Sequence, residues 1–223
     1  MTKLLADLVE QAQCLVFDFD GTLVDSNPIK ERAFEKLFEE FRHKQEEILA
    51  YCRGFHHTPR GEKFRHVYEK ILGLPYTPHI EAALHNRFEA LTTRQIVEAP
   101  AVPGAELFVR DACRRRLTAV LSSTPHEVLV QILKERRWLD YFKGVRGAPV
   151  DKAAWLRLSQ EENGWEGAKI IFFGDTPEDL QAAAQAGCTF VAVHNESLGS
   201  EAAYSLCDFT QLLPSSLAFD TGH

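Results

Sequence analysis

Two aspartates, two positions apart, follow a short apolar stretch near the N-terminus. Residues 14–17 form the stretch, and Asp18, Asp20 and Gly21 come directly after it. A short run rich in β-forming residues is typical of a strand buried on both faces, and glycine permits a sharp turn after it. Two carboxylates at the end of a buried strand, with no basic residue beside them, repel each other unless a cation joins them. The pattern therefore predicts a metal site at Asp18 and Asp20.

Polar residues also follow two further apolar runs. Residues 117–121 precede Ser122, and residues 170–173 precede Gly174 and Asp175. In an open parallel sheet, ligands bind beyond the carboxyl ends of the strands, so we expect these polar residues to meet the two aspartates. Taken singly, Ser122 is also typical of a helix N-cap, and Asp175 is also typical of a turn before a helix.

The remaining pattern indicates the elements that position these residues. From about residue 105, apolar runs alternate with segments of helical periodicity, which predicts an α/β fold with a parallel sheet covered by helices on both faces. Between residues 27 and 96 only helical periodicity occurs, and its aromatic positions Phe34, Phe38 and Phe88 are predicted core. We therefore expect a core formed by residues 1–26 and 97–223, interrupted by an inserted all-helical domain at 27–96. The tail after Leu213 is expected to be loosely held.

Composition narrows the class of partner. The 223 residues carry a formal net charge of −7, which argues against a nucleic-acid or anionic-membrane partner. Five dispersed cysteines without a C-x-x-C pair indicate reduced thiols. The N-terminal residues lack a secretory pattern, and no segment is apolar enough to span a membrane. A cytoplasmic location is expected.

The first motif resembles a known signature. The string Asp18-Phe19-Asp20-Gly21-Thr22-Leu23-Val24-Asp25-Ser26 is similar to that of the haloacid dehalogenase-like superfamily of aspartate-nucleophile phosphohydrolases. The resemblance covers essentially the whole chain outside the inserted segment. It implies a Rossmann-like core, with Asp18 as the nucleophile and Asp20 as the general acid and base.

Two later motifs extend the resemblance. Ser122 resembles the serine or threonine of the second motif, whose hydroxyl binds a phosphoryl oxygen, and Ser123 is the alternative. Asp175 and Asp179 resemble the paired carboxylates of the fourth motif. By this resemblance Asp175 completes a metal site with the Asp18 carboxylate and the Asp20 backbone carbonyl, and Asp179 orients its neighbours. A set of oxygen ligands favours Mg²⁺.

A lysine is expected to balance the charge of the nucleophile and the phosphate. Lys143 and Lys152 are the candidates, and Lys152 is preferred because it begins a helix that precedes the strand at 170, as the third-motif lysine of the family often does. The usual Lys-Pro pair of the family is missing here.

The inserted segment offers a weaker signal. Its loop contains His56, His57 and Arg60. Arginine is suited to bidentate anion contacts, so Arg60 is a candidate substrate-binding residue, whereas the two histidines are typical of an ordinary polar loop.

The resemblance implies a Mg²⁺-dependent phosphatase that acts on a small phosphorylated metabolite through an aspartyl-phosphate, with the insertion as a cap that closes over the site. Asp20 disfavours the dehalogenases and phosphonatases, which lack that second acid. A phosphomutase of the β-phosphoglucomutase kind remains an alternative because it shares the first motif. A non-catalytic binding or scaffold protein is the alternative from another class, since a fold by itself does not fix function.

Overall fold

The computed structural model describes residues 2–55 and 58–213. His56, His57 and the tail from residue 214 lie outside the described residues, and so do the predictions made for them. The chain divides into two compact units. The core unit comprises Met1–Asp25 and Ala99–His223, and the inserted unit comprises Ser26–Glu98.

In the described part of the core unit, a parallel sheet of six strands forms the centre. The strands are β1 (Cys14–Phe17), β2 (Leu117–Pro125), β3 (Gly144–Ala148), β4 (Ile170–Gly174), β5 (Thr189–Val193) and β6 (Tyr204–Leu206). Their order across the sheet is β3-β2-β1-β4-β5-β6. All neighbouring pairs are parallel, so the strands end at one shared edge, which we call the carboxyl edge. The strand order reverses between β1 and β4, and ligands bind at such a reversal in open α/β sheets.

The described residues form ten α-helices, six in the core unit and four in the inserted unit. They are α1 (Thr2–Gln11), α2 (Asn27–Leu37), α3 (Gln45–Gly54), α4 (Arg60–His66), α5 (Pro78–Glu98), α6 (Ala105–Ala112), α7 (His126–Glu135), α8 (Lys152–Asn163), α9 (Pro177–Ala186) and α10 (Glu196–Gly199). A π-helical turn, Val67–Leu72, continues α4. Short 3-10 turns occupy Arg42–Lys44, Leu139–Tyr141, Gly167–Lys169 and Phe209–Leu212.

Alternation along β1 buries side chains on both faces of the sheet. Val16 belongs to an apolar cluster with Leu156 of α8 on one face. Phe17, on the other face, stacks on Phe173 of β4 with ring centroids 5.0 Å apart and meets Phe108 of α6 at 6.2 Å. The predicted α/β class, a Rossmann-like parallel sheet with helices on both faces, is therefore confirmed.

The inserted unit has a separate aromatic core. Phe34, Phe38 and Phe88 are buried in one cluster with Phe64, and the Phe34 and Phe88 rings lie 4.9 Å apart. Their predicted place in the core of this segment is confirmed. The described residues of this unit form helices and no strand.

Three features of the sheet differ from the pattern predicted by sequence. Strand β3 was not expected because its sequence, GVRGA, contains two glycines and an arginine and so lacks an apolar run. Strand β6, which the sequence pattern does not predict either, has only three residues. Strand β2 continues beyond Leu121 to Pro125, and Pro125 is the N-cap of α7, so Ser122 is not a helix cap. Within the described ranges, no helix is both long and apolar enough to cross a membrane.

Candidate active site

The chain leaves β1 at the carboxyl edge with both aspartates buried. The Asp18 backbone N–H donates to the Phe173 carbonyl oxygen at 2.8 Å, which continues the pairing of β1 with β4 by one residue. Asp18 is 5% exposed and Asp20 is 8% exposed. Gly21 adopts φ +81°, a left-handed conformation that favours glycine, and turns the chain immediately afterwards.

An ammonium group lies between two of the carboxylates. Lys152 Nζ donates to Asp18 Oδ1 at 2.7 Å and to Asp179 Oδ1 at 2.7 Å. Lys152 is the first residue of α8, and Asp151 caps this helix by accepting the Ala154 N–H at 2.9 Å. The helix cap therefore fixes the backbone from which the lysine reaches the carboxyl edge.

The other candidate lysine, Lys143, lies at the amino ends of the strands, opposite the carboxyl edge. Lys143 precedes β3, is exposed, and donates its backbone N–H to the Thr118 carbonyl near the start of β2. In a parallel sheet this position is at the amino ends of the strands, far along the strand direction from Asp18.

The electrostatics of the site reflect its burial. Burial raises the pKa of the Asp18 carboxyl well above its usual range; the Lys152 ammonium opposes this shift, and the carboxylates of Asp179, Asp175 and Asp20 add to it. Burial by itself would lower the pKa of Lys152, but the charges and hydrogen bonds of Asp179 and Asp18 raise it above its usual value. The site therefore has an excess of negative charge that a cation would relieve.

Asp175 is positioned by two residues that the sequence analysis did not select. The Thr22 hydroxyl donates to Asp175 Oδ1 at 3.0 Å. The Asn195 side-chain amide donates to the Asp175 backbone carbonyl at 2.8 Å, and the Asn195 carbonyl oxygen caps α10. Asn195 comes two residues after β5. A polar residue just beyond a further strand is the sequence feature that could have identified it.

Asp179 uses both of its oxygens for protein contacts. Oδ1 accepts from Lys152, and Oδ2 accepts from the Thr176 hydroxyl at 2.6 Å and from the Thr176 N–H at 3.3 Å. With Thr176 as N-cap, this is a capping box at the start of α9. A Cβ atom at Gly174 would lie 2.5 Å from Asp179 Cβ. Only glycine lets the end of β4 approach the buried carboxylate this closely.

The extended end of β2 contacts Asp20. The Thr124 hydroxyl donates to Asp20 Oδ2 at 2.7 Å, and the Ser122 hydroxyl lies 3.4 Å from the same oxygen. Ser122 and Thr124 are buried, whereas Ser123 between them is exposed. The alternation expected of an extended segment therefore turns Ser122 toward Asp20 and Ser123 away from it.

Arg60 belongs to the inserted unit and is engaged there. Its guanidinium pairs with Glu89, and its Nε donates to His85 Nδ1 at 3.0 Å. The group also lies over the Phe88 ring, 5.4 Å from the centroid. Burial, and then the charge of Arg60, lower the pKa of His85, which suits a neutral imidazole that accepts from Arg60.

A comparison with known families agrees with this geometry. Residues 12–187 match the family model described as haloacid dehalogenase-like hydrolase. The chain belongs to this family. The resemblance carried by the first motif is confirmed, and with it the prediction that the protein is a hydrolase of the haloacid dehalogenase-like type.

Individual relatives cover most of the chain. A phosphoglycolate phosphatase from Synechococcus elongatus is 27% identical over 184 residues, which span 81% of this chain and 83% of that protein. A predicted phosphoglycolate phosphatase from Haemophilus somnus 129Pt has a TM-score of 0.70 at 18% identity, covering 89% of this chain and 95% of that one. CbbY from Rhodobacter sphaeroides, crystallised with phosphate, has a TM-score of 0.66 at 19% identity, with the same coverage. The two solved structures share the fold of this haloacid dehalogenase-like hydrolase.

The carboxylates of this hydrolase can hold a metal ion. Asp18, Asp175 and Asp179 each offer an oxygen, and these oxygens lie within 4.8 Å of one another. The donors are all oxygens, which suits a hard divalent cation. Lys152 contributes a single positive charge beside these three carboxylates. The residues present therefore fit such an ion.

We expect a divalent cation to stabilise the fold, and to do so more strongly as the pH rises. The folded Asp18 carboxyl binds its proton more tightly than the unfolded one, whose pKa is near 3.8. Without a cation, this group therefore favours folding most below that value, and the contribution is lost as the pH rises through the folded pKa. Since cation and proton compete for the carboxylate, the stabilisation by the cation grows over the same interval.

Thermal unfolding with MgCl₂ or with EDTA, followed at pH 5 and pH 8, measures this effect. When the free Mg²⁺ concentration is a hundred times its dissociation constant, binding should raise the free energy of unfolding by about 2.7 kcal/mol. This corresponds to a rise in the unfolding temperature of roughly 5 to 10 °C. Asp175→Asn should reduce the shift at pH 8, whereas Asp7→Asn, on the remote α1, should not. An equal shift at both pH values, or in both variants, would contradict the assignment.

Proposed function

We propose that the protein is a Mg²⁺-dependent phosphatase, a phosphoric monoester hydrolase that acts on a small phosphorylated metabolite through an aspartyl-phosphate on Asp18. The observation that carries this proposal is the Asp18 carboxylate at the carboxyl edge, 2.7 Å from the Lys152 ammonium and clustered with Asp175. The family match supports the class of reaction, and the Synechococcus relative, a phosphoglycolate phosphatase, supports the class of substrate.

In this proposal Asp18, Asp175 and the backbone carbonyl of Asp20 hold the metal ion. Asp179 orients its neighbours, since its oxygens already accept from Lys152 and Thr176. When bound, Mg²⁺ neutralises negative charge on the carboxylates and on the phosphoryl oxygens. Thr22 and Asn195 keep Asp175 in place through its side chain and its backbone.

The first chemical step transfers the phosphoryl group to the protein. An Asp18 oxygen attacks phosphorus in line, a bond forms between them, and the bond from phosphorus to the ester oxygen breaks. The leaving oxygen takes the bonding electron pair, and Asp20 supplies its proton. The Lys152 ammonium and the Ser122 hydroxyl stabilise charge on the phosphoryl oxygens.

The second step releases phosphate. Asp20, now a carboxylate, takes a proton from a water molecule as that water attacks phosphorus. The bond between phosphorus and the Asp18 oxygen breaks, inorganic phosphate leaves, and both aspartates return to their starting states. The burial of Asp18 and Asp20 limits access of bulk water to the intermediate.

Substrate contacts are assigned to Ser122, Ser123 and Arg60. Ser122 supplies the hydroxyl because it is buried beside Asp20, and the exposed Ser123 contributes its backbone N–H. Arg60 is proposed to bind an anionic group of the substrate, which must then compete with Glu89 for the guanidinium. The cytoplasmic location expected from the sequence stays a prediction.

The proposal predicts metal-dependent phosphate release from p-nitrophenyl phosphate. EDTA should stop the reaction and added MgCl₂ should restore it. Asp18→Asn should lower kcat by at least about 10³-fold with the circular dichroism spectrum unchanged, because an amide oxygen is a poor nucleophile. Asp7→Asn is the matched control and should retain wild-type activity. Activity in EDTA, or in Asp18→Asn, would refute the mechanism.

The same assay separates the mutase alternative. A phosphatase releases inorganic phosphate in proportion to substrate consumed. A phosphomutase of the β-phosphoglucomutase kind would convert one sugar phosphate into its isomer with no phosphate released. A panel of sugar phosphates and phosphoglycolate, followed for phosphate and for isomers, distinguishes these outcomes.

Lys152 and Lys143 provide a second matched pair. Lys152→Met removes the cation beside Asp18, and we expect kcat/KM to fall by about 10² to 10³-fold. It also leaves two buried carboxylates less compensated, so the free energy of unfolding should decrease by about 3 to 5 kcal/mol. Lys143→Met should change neither quantity appreciably. A Lys152→Met variant with wild-type kcat/KM would contradict the assignment of Lys152 as the lysine that stabilises charge on the phosphoryl group.

A further inference from the structure

A buried hydroxyl that the mechanism does not use contacts the proposed general acid. Thr124 is 8% exposed, and its Oγ1 donates to Asp20 Oδ2 at 2.7 Å. The Ser122 hydroxyl lies farther from the same oxygen, at 3.4 Å. Of these two hydroxyl contacts to Asp20, the one from Thr124 has the better hydrogen-bond distance.

The backbone of Thr124 is held from two sides. Its N–H donates to the Ser122 hydroxyl at 3.1 Å. On the other side, a Cβ atom at Gly147 would lie 2.4 Å from the Thr124 carbonyl oxygen, so β3 approaches this residue as closely as glycine permits. The pairing of β2 with β3 is irregular between Leu121 and Pro125, which includes this position. Thr124 therefore lies on an irregular but closely packed strand end.

This contact distinguishes the two oxygens of Asp20. A protonated carboxyl group has one hydroxyl oxygen and one carbonyl oxygen. Because Thr124 donates to Oδ2, Oδ2 is the accepting oxygen, and the acidic proton is carried by Oδ1. Rotation of the carboxyl group would exchange the two oxygens and would break the bond to Thr124.

The Ser122 contact does not supply the same constraint during the reaction. In the proposed mechanism the Ser122 hydroxyl binds a phosphoryl oxygen, so it is directed to the substrate when proton transfer occurs. The proposed mechanism gives Thr124 no contact with the phosphoryl group, so its hydroxyl can keep its hydrogen bond to Asp20 during proton transfer.

We propose that Thr124 is a positioning residue that fixes the orientation of the Asp20 carboxyl group, so that Oδ1 delivers the proton to the leaving oxygen. This inference rests on the proposed phosphatase function. The step itself is unchanged: the proton moves from Asp20 to the leaving oxygen as the bond from phosphorus breaks. Thr124 neither gains nor loses a proton.

The proposal predicts a dependence on the leaving group. The p-nitrophenolate ion delocalises its charge and leaves with little help from an acid, whereas the phenolate of phenyl phosphate is more basic and needs protonation more. A misoriented Asp20 should therefore impair hydrolysis of phenyl phosphate more than hydrolysis of p-nitrophenyl phosphate. A general loss of folded protein would lower both rates equally.

The experiment compares kcat/KM for these two substrates, with saturating MgCl₂, in the full-length chain. Thr124→Val replaces the hydroxyl by a methyl group of similar size. We expect its loss of kcat/KM on phenyl phosphate to exceed its loss on p-nitrophenyl phosphate by about tenfold or more. Thr124→Ser keeps the hydroxyl and should restore the wild-type ratio. Thr124→Ala is a second variant without the hydroxyl, and it should repeat the selective loss.

Thr118→Val is the matched control on the same strand. Thr118 is also buried, but its hydroxyl donates to the Tyr141 backbone carbonyl, near the amino end of β2. Its substitution should leave the ratio between the two substrates unchanged. In an Asp20→Asn background, Thr124→Val should cause no further selective loss, because the proton donor is already absent.

The outcomes separate this inference from the function on which it rests. The role of Thr124 would be overturned if Thr124→Val and Thr124→Ala lost kcat/KM equally on both substrates. It would also be overturned if Thr124→Ser lost kcat/KM on phenyl phosphate as selectively as Thr124→Val. These results would leave the phosphatase function intact if Asp18→Asn is inactive. A wild-type chain that releases no phosphate would overturn the proposed function and this inference together.

Discussion

The geometry of the site depends on one buried ammonium group between two carboxylates. Lys152 Nζ lies 2.7 Å from an oxygen of Asp18 and 2.7 Å from an oxygen of Asp179. Isolated charges in such surroundings would each cost several kcal/mol to bury. The pairing therefore joins three separate elements, namely the end of β1, the first residue of α8 and the start of α9. Without the ammonium, the carboxylates would repel one another.

The strand order determines which residues lie close to this ammonium group and its carboxylates. Strand β1 lies between β2 and β4, and the chain changes direction across the sheet between β1 and β4. Asp18 and Asp175 follow these two strands, and the irregular end of β2 brings Thr124 to Asp20 from the other side. The ends of these three strands thus bring Asp18, Asp175 and Thr124 toward one small volume.

Much of this arrangement could be predicted from residue types and order. Parallel strands end at a common edge, so acids after the first and fourth strands had to be close together. Lys152 was less certain from sequence, and its place beside Asp18 depends on the cap that Asp151 gives α8. By contrast, the position of Lys143 at the amino ends of the strands became apparent only from β3, which starts directly after it.

The residues that sequence reasoning missed are those whose roles depend on tertiary contacts. Thr124 lies on a part of β2 that pairs irregularly, next to a strand with two glycines and an arginine and hence no apolar run. Asn195 acts through the Asp175 backbone carbonyl, a partner that no side-chain pattern reports. Gly174 matters because Asp179 packs against its backbone. In each case the deciding contact joins segments that are not adjacent in sequence.

The proposed nucleophile, Asp18, is buried yet paired with Lys152, and it lies in a cluster of carboxylates that fits a cation. The most direct measurement is chemical trapping of the intermediate. The chain would be mixed with p-nitrophenyl phosphate and MgCl₂, quenched, reduced with borohydride and digested for mass spectrometry. An aspartyl-phosphate is reduced to homoserine, so we expect homoserine at position 18 and only when substrate is present. Homoserine at another aspartate, or none at position 18 during active turnover, would contradict the assignment of Asp18 as the nucleophile.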